Sequence, residues 1–187
     1  MEESKVEIRL IAESDLAKFF SYLREQLAEN GRGDNPLFQP LSPESDGLTE
    51  EMELGFSSGV AKVFPQSGWR RVWGAFDNAG SIIGHIDLRG HGEKYTQHRA
   101  LLGMGVHSDA RRMGLGRKLI HTVRQWAKDE AGIEWIDLWV LSENLPAIAL
   151  YQASGFIKNG EVEDMFRIDG SSYAFTRMSL NLCSLAP

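Results

Sequence analysis

The pattern of apolar residues predicts an α/β chain: a mixed sheet of about seven strands with four helices, in one domain spanning residues 1–187. Three observations predict it. Short apolar runs with a two-residue period outnumber helical segments. One helical segment, Leu115 to Glu130, lies between two apolar strands, so those strands run parallel across a crossover. The chain then closes on two strands around a polar turn, which look like a hairpin.

Taken in order, Lys5 to Ile11 alternates Val6, Ile8 and Leu10 against Lys5, Glu7 and Arg9, as a half-buried strand does. Ser14 and Asp15 start a helix that Leu16, Phe19, Phe20, Leu23 and Leu27 carry to about Asn30. Gly31 to Gly47 contains Pro36, Pro40 and Pro43 and is a loop, of a length more often functional or mobile than idle. Thr49 to about Phe64 forms a second helix whose acidic first turn, Glu50, Glu51 and Glu53, matches the helix dipole. Arg70 to Asp77 and Ser81 to Arg89 make a hairpin across Asn78-Ala79-Gly80, and Ile83, His85 and Asp87 share one face of its second strand.

Gly90 to Gln97 is a polar turn into a central strand built on Leu101, Leu102, Met104 and Val106, with Gly103 and Gly105 as strand glycines. His107, Ser108 and Asp109 end that strand. Leu115, Leu119, Ile120, Val123, Trp126 and Ala127 then recur at helical spacing. Trp135 to Leu141 is the next strand. A short helix opens near Pro146 and stops before Gly155. Glu161 to Ile168 and Tyr173 to Leu182 form the closing hairpin around Asp169-Gly170-Ser171-Ser172.

Composition narrows the partners. A net charge of −6 argues against nucleic acid and leaves room for a cationic amine. No apolar run approaches the ~20 residues of a membrane helix, and the acidic opening MEESKVEIRL does not read as a signal peptide. The single cysteine, Cys183, excludes an internal disulfide and fits a reducing compartment, so a cytoplasmic protein is expected. No metal is expected, and homodimerisation stays open.

Chemistry concentrates between the central strand and the long helix, at Arg111-Arg112-Met113-Gly114-Leu115-Gly116. Two glycines let the backbone turn tightly and approach a ligand. The first amides of a helix lack intrahelical partners, and the dipole there favours negative charge. Arginines add donors of phosphate-matching geometry. The backbone N–H groups of Arg112 to Gly116 are therefore candidate pyrophosphate donors, with Arg111, Arg112 and Arg117 as supporting charge. The bland alternative is a glycine-rich connection with solvated arginines. A dinucleotide fold would use Gly114 and Gly116 with Asp137, but Leu119 stands where its third small residue belongs and Asp137 comes early in its strand.

A second segment, Leu138 to Phe156, carries Asn144, Ala147, Leu150, Tyr151, Gly155 and Phe156 in the spacing Asn-x-x-Ala-x-x-Leu-Tyr-x-x-x-Gly-Phe. Together with the Arg-x-x-Gly-x-Gly turn some thirty residues earlier, this resembles the GCN5-related N-acetyltransferase (GNAT) family, over roughly Val6 to Leu180. The resemblance implies acetyl-CoA as cosubstrate, with the central strand and the Trp135 strand splayed apart around its pantetheine arm. Met104 to Val106 backbone would pair with that arm, Asn144 would contact it or cap its helix, and Tyr151 would act as general acid for the leaving thiolate. The implied reaction is direct acetyl transfer, through a tetrahedral intermediate, to a primary amine of a small molecule, amino acid or protein N-terminus. No base is assigned: His85, Asp87, His107, Glu143 and water all stay open. A non-catalytic acyl-CoA-binding module on the same fold is the rival reading.

Overall fold

A computed structural model describes residues 6–45 and 47–183. Residues 1–5 of the acidic opening, with the expected strand start at Lys5, lie outside them. Eleven elements follow one another: β1 (Glu7–Leu10), α1 (Leu16–Ala28), α2 (Glu50–Ala61), β2 (Arg70–Phe76), β3 (Ile82–Gly90), β4 (Arg99–Val106), α3 (Leu115–Asp129), β5 (Trp135–Leu141), α4 (Leu145–Ala153), β6 (Ile157–Ile168) and β7 (Ser171–Asn181), besides two short 3₁₀ turns. The strands form one seven-stranded sheet in the order β1-β2-β3-β4-β5-β7-β6. Only β4 and β5 run parallel, joined by α3 as the crossover rule requires.

Local chemistry sets most boundaries. Thr49 caps α2 by accepting a hydrogen bond from the Met52 amide at 3.2 Å. That helix stops at Ala61 rather than reaching Phe64: Lys62 is already extended, and Pro65 keeps Phe64 from resuming helical backbone. β6 begins at Ile157, earlier than the expected Glu161, since Ile157 already pairs with Ser179. Leu10 departs from its expected inward face. It is 45% exposed on a short edge strand, beside Trp73 and Trp126, while Ile11 takes the buried position.

The sheet buries two cores. On one face α3 packs Leu119, Ile120 and Val123 against Ile86, Leu102, Ile136, Leu138 and Met178. The second core joins Phe19, Tyr22 and Leu23 of α1 and Phe56 of α2 to Val72 and Ile82. Strand alternation divides β3 between them, Ile86 going to the first core and His85 to the second, where Phe19 and Tyr22 flank its ring. No helix among the described residues is long and apolar enough to cross a membrane.

β4 and β5 pair only at Arg99–Trp135, Ala100–Ile136 and Leu101–Asp137. Beyond Leu101 each keeps its outer neighbour. β4 stays on β3 as far as Val106, and β5 stays on β7 as far as Leu141. The two central strands therefore part in the middle of the sheet.

Candidate active site

The parting leaves an open backbone edge. The His107 amide donates to Ile83 O at 3.0 Å, so residues in phase with it, Gly105 and Gly103, direct their N–H and C=O groups toward β3. Met104 and Val106 are out of phase and direct theirs toward the side that β5 has left. An extended acyl chain can pair there as an added strand would.

Beside this edge lies the turn before α3. Arg112 has φ 63° and Gly114 φ 78°, and the left-handed Gly114 starts the helix without a side-chain cap. The Arg111 amide donates to Ser108 O, and the Lys118 amide to Gly114 O. Between them, from Arg112 to Arg117, no amide has a partner among the described residues. Left-handed backbone at Arg112 and Gly114, directly before a helix, suits the bend of an anion-binding concavity, and the helix dipole reinforces it. A side chain at Gly116 would put its Cβ 2.8 Å from Leu150 Cδ2 and 3.6 Å from Met104 Cε. The mouth of the helix is thereby held against both α4 and the open edge of β4. Leu115 is buried and anchors the first turn, whereas Met113 is 69% exposed.

The three arginines do different things. Arg112 and Arg117 are exposed and have no acidic partner among the described residues. Arg111 is already engaged. Its Nε donates to Val106 O at 3.0 Å, its Nη2 to Glu29 Oε2 at 2.9 Å and its Nη1 to Asn35 Oδ1. It clamps the end of β4 to α1 and to the loop that follows, and its charge is met by Glu29.

On α4, Asn144 Oδ1 accepts from the Ala147 amide at 3.3 Å, so its capping role is realised. Tyr151 is buried among the α3 core residues with its ring against Phe156. Burial pushes its phenol above the ordinary value, which keeps it protonated. Its hydroxyl has no hydrogen-bond partner among the described residues and is not sealed from solvent, so it is free to donate.

The base candidates separate. Asp87 is buried between Arg70 and Arg89, with Nε 3.3 Å and Nη1 3.1 Å from its Oδ1, so its charge is already matched. Glu143 is exposed on the turn into α4. His107 accepts from the Asp109 amide at 3.4 Å and stands 4.0 Å from Glu29. His85 is buried with Nδ1 3.2 Å from the Tyr22 hydroxyl, which donates to Gly105 O at 3.0 Å. Burial pushes its imidazole down to about 4.

Asp137, the acid a dinucleotide fold would turn toward a ribose, is enclosed instead. It accepts from Arg99 at 2.7 and 2.6 Å and from Ser179 at 2.5 Å, and His91 Nε2 lies 3.0 Å away. Burial works to raise its pKa, but the bonds from Arg99 and Ser179 hold it below the usual carboxylate range. Nothing in the sequence marked this network, or the Arg111 clamp, because both join residues far apart in the chain.

A model of the Acetyltransferase (GNAT) family matches residues 44–156, a stretch that contains the open β4 edge, the Arg112–Arg117 amides and Tyr151. The chain belongs to the GNAT acetyltransferase family. GNAT enzymes take their acetyl group from acetyl-CoA. No curated protein matches the sequence significantly. Solved structures share the fold at low identity. A GNAT acetyltransferase from Streptococcus pneumoniae aligns over 95% of this chain and 99% of its own, at 24% identity and TM-score 0.77. A GCN5-related N-acetyltransferase from Kribbella flavida aligns over 94% and 97%, at 24% identity and TM-score 0.73. Spermidine N-acetyltransferase from Vibrio cholerae, solved in complex with CoA and spermine, aligns over 95% and 96%, at 21% identity and TM-score 0.71.

Proposed function

We propose that residues 1–187 form a single N-acetyltransferase domain, which transfers an acetyl group from acetyl-CoA to a primary amine by direct attack. One observation carries this reading. The unpartnered amides of Arg112 to Arg117 lie beside the strand-free amides of Met104 and Val106, with Gly116 packed close to the Met104 side chain, and a diphosphate and the arm extending from it need such adjacent sites. Arg112, Met113, Gly114, Leu115, Gly116 and Arg117 would hold the diphosphate, and Met104 and Val106 the pantetheine. Asn144, at the far wall of the gap, has a side-chain NH₂ free for the same arm.

Acyl transfer needs the carbonyl polarised, the amine deprotonated and the leaving thiolate protonated. The Val106 amide faces the gap and can donate to the carbonyl oxygen as negative charge develops there. Tyr151, kept protonated by burial, can give its proton to the thiolate. The acceptor class stays at primary amines: small molecules, amino acids or protein N-termini. The lone, exposed Cys183 suits a reducing compartment, and we place the protein in the cytoplasm.

The test is release of free thiol from acetyl-CoA in the presence of an amine panel, with the acetylated product identified by mass. Turnover with at least one primary amine is expected. Saturable coenzyme A binding with no turnover on any amine would leave only an acyl-CoA-binding module.

A further inference from the structure

Two polar side chains converge on Gly105, each with a polar group that no protein atom engages. Gln26 of α1 is 5% exposed and His85 of β3 is 6% exposed. A Cβ at Gly105 would lie 2.8 Å from Gln26 Nε2 and 2.9 Å from His85 Cε1. Neither the Gln26 amide nor His85 Nε2 makes a hydrogen bond among the described residues. Yet no side-chain nitrogen or oxygen there is both sealed and unpartnered, so these atoms keep contact with solvent. Unpaired polar groups at this depth are costly unless something fills them.

The geometry around His85 sets its tautomer. Tyr22 has one proton and donates it to Gly105 O, so His85 Nδ1–H must be the donor to the Tyr22 oxygen. The lone pair is then on Nε2, the nitrogen without a partner. Gly105 immediately precedes Val106, whose amide faces the gap, while Tyr151 belongs to the core on the opposite face of the sheet.

Resting on the acetyltransfer reading above, we propose that His85 Nε2 is the proton acceptor for the attacking amine, with Gln26 orienting that amine and Tyr22 positioning the imidazole. The amine lone pair forms the C–N bond, and the carbonyl π pair moves to oxygen. The proton of the new ammonium passes to Nε2. Collapse reforms the carbonyl and breaks the C–S bond, and the thiolate takes the Tyr151 proton. The imidazolium then returns its proton to solvent and Tyr151 recovers one, so the products are an amide and a free thiol.

Burial supports this role by keeping the ring neutral, with Asp87 on its own strand opposing that effect and Arg70 of β2 reinforcing it. Such a weak base suits an ammonium made acidic by its bond to the tetrahedral carbon. It does not suit the resting ammonium of the free amine.

The experiment compares wild type with His85→Gln, using a panel of primary amines that includes 2-phenylethylamine, spermidine, free amino acids and peptides with a free N-terminus. The best acceptor is then set beside its β-fluorinated analogue, whose ammonium is more acidic. His85→Gln should lower kcat about 10²-fold on the ordinary amine and clearly less on the fluorinated one. Its coenzyme A Kd should stay within twofold of wild type. Turnover within threefold of wild type, or equal losses on both amines as a packing defect would give, overturns the proposal. Should His85→Gln fail to fold, Tyr22→Phe decides in the same way, with a loss of about tenfold expected on the ordinary amine and less on its analogue. Wild type inactive on every amine would instead refute the acetyltransfer reading itself.

Discussion

Leu101 and Asp137 are the last partners that β4 and β5 share. Past them the sheet opens, and the amides of Met104 and Val106 have no strand to pair with on that side. If the gap takes the pantetheine arm, those two amides should gain protection when coenzyme A is added. Hydrogen exchange read at single residues should show their rates falling at least tenfold, while Gly103 and Gly105, already committed to β3, change little. Unchanged exchange at Met104 and Val106 would place the ligand elsewhere.

Tyr151 is protonated, buried and free of protein partners at its hydroxyl. Tyr151→Phe preserves the ring that packs on Phe156 and removes only the acid. Turnover should fall about 10²-fold with coenzyme A affinity nearly intact, the pattern of an interaction made in the transition state. Steady-state kinetics together with calorimetric titration would check both halves.

The arginines should divide by role. Arg111 is part of a half-buried cluster with Glu29, Asn35 and Val106 O, so Arg111→Ala should cost about 1–2 kcal/mol of stability after allowance for solvent screening. Arg112→Ala and Arg117→Ala should leave the melting temperature almost unmoved. Each should weaken coenzyme A binding several-fold at low salt and less at high salt, as screened phosphate contacts do. Thermal melts and titrations at two ionic strengths separate the two behaviours.

Stability should depend on pH through His85. Its imidazole sits at about 4 in the fold against 6.5 unperturbed, so the unfolded chain binds the proton more readily. The contribution is fully present above about 6.5 and is lost as pH falls from there through about 4, to a total of about 3 kcal/mol. Denaturant midpoints measured from pH 7 to pH 4 should decline for wild type and much less for His85→Gln.

Local chemistry made the fold legible. Thr49, Pro65 and the alternation in β3 each announce an element or its limit within a few residues, and the crossover at Leu115 fixes which strands run parallel. The arginine-and-glycine turn is legible for the same reason, since its function rests on backbone conformation that Gly114 permits. Gly103 and Gly105 were readable as strand glycines but not for their cause. A Cβ at either would strike Asp87, or Gln26 and His85, which come from other elements. The division of labour among Arg111, Arg112 and Arg117 was hidden likewise, because Glu29 and Asn35 reach Arg111 only through the tertiary fold. The start of β6 is not legible in the sequence, because a strand exposed along nearly its whole length carries little apolar pattern.

Acetyl-CoA binding by this chain requires the backbone of one turn to grip the diphosphate. Gly114 has φ 78° and no atom within 4 Å of where a Cβ would sit, so a β-branched residue there strains the turn without striking a neighbour. Calorimetric titration of coenzyme A into folded Gly114→Val is the direct measurement. A Kd raised tenfold or more is predicted, and a Kd equal to that of wild type would contradict diphosphate binding at this turn.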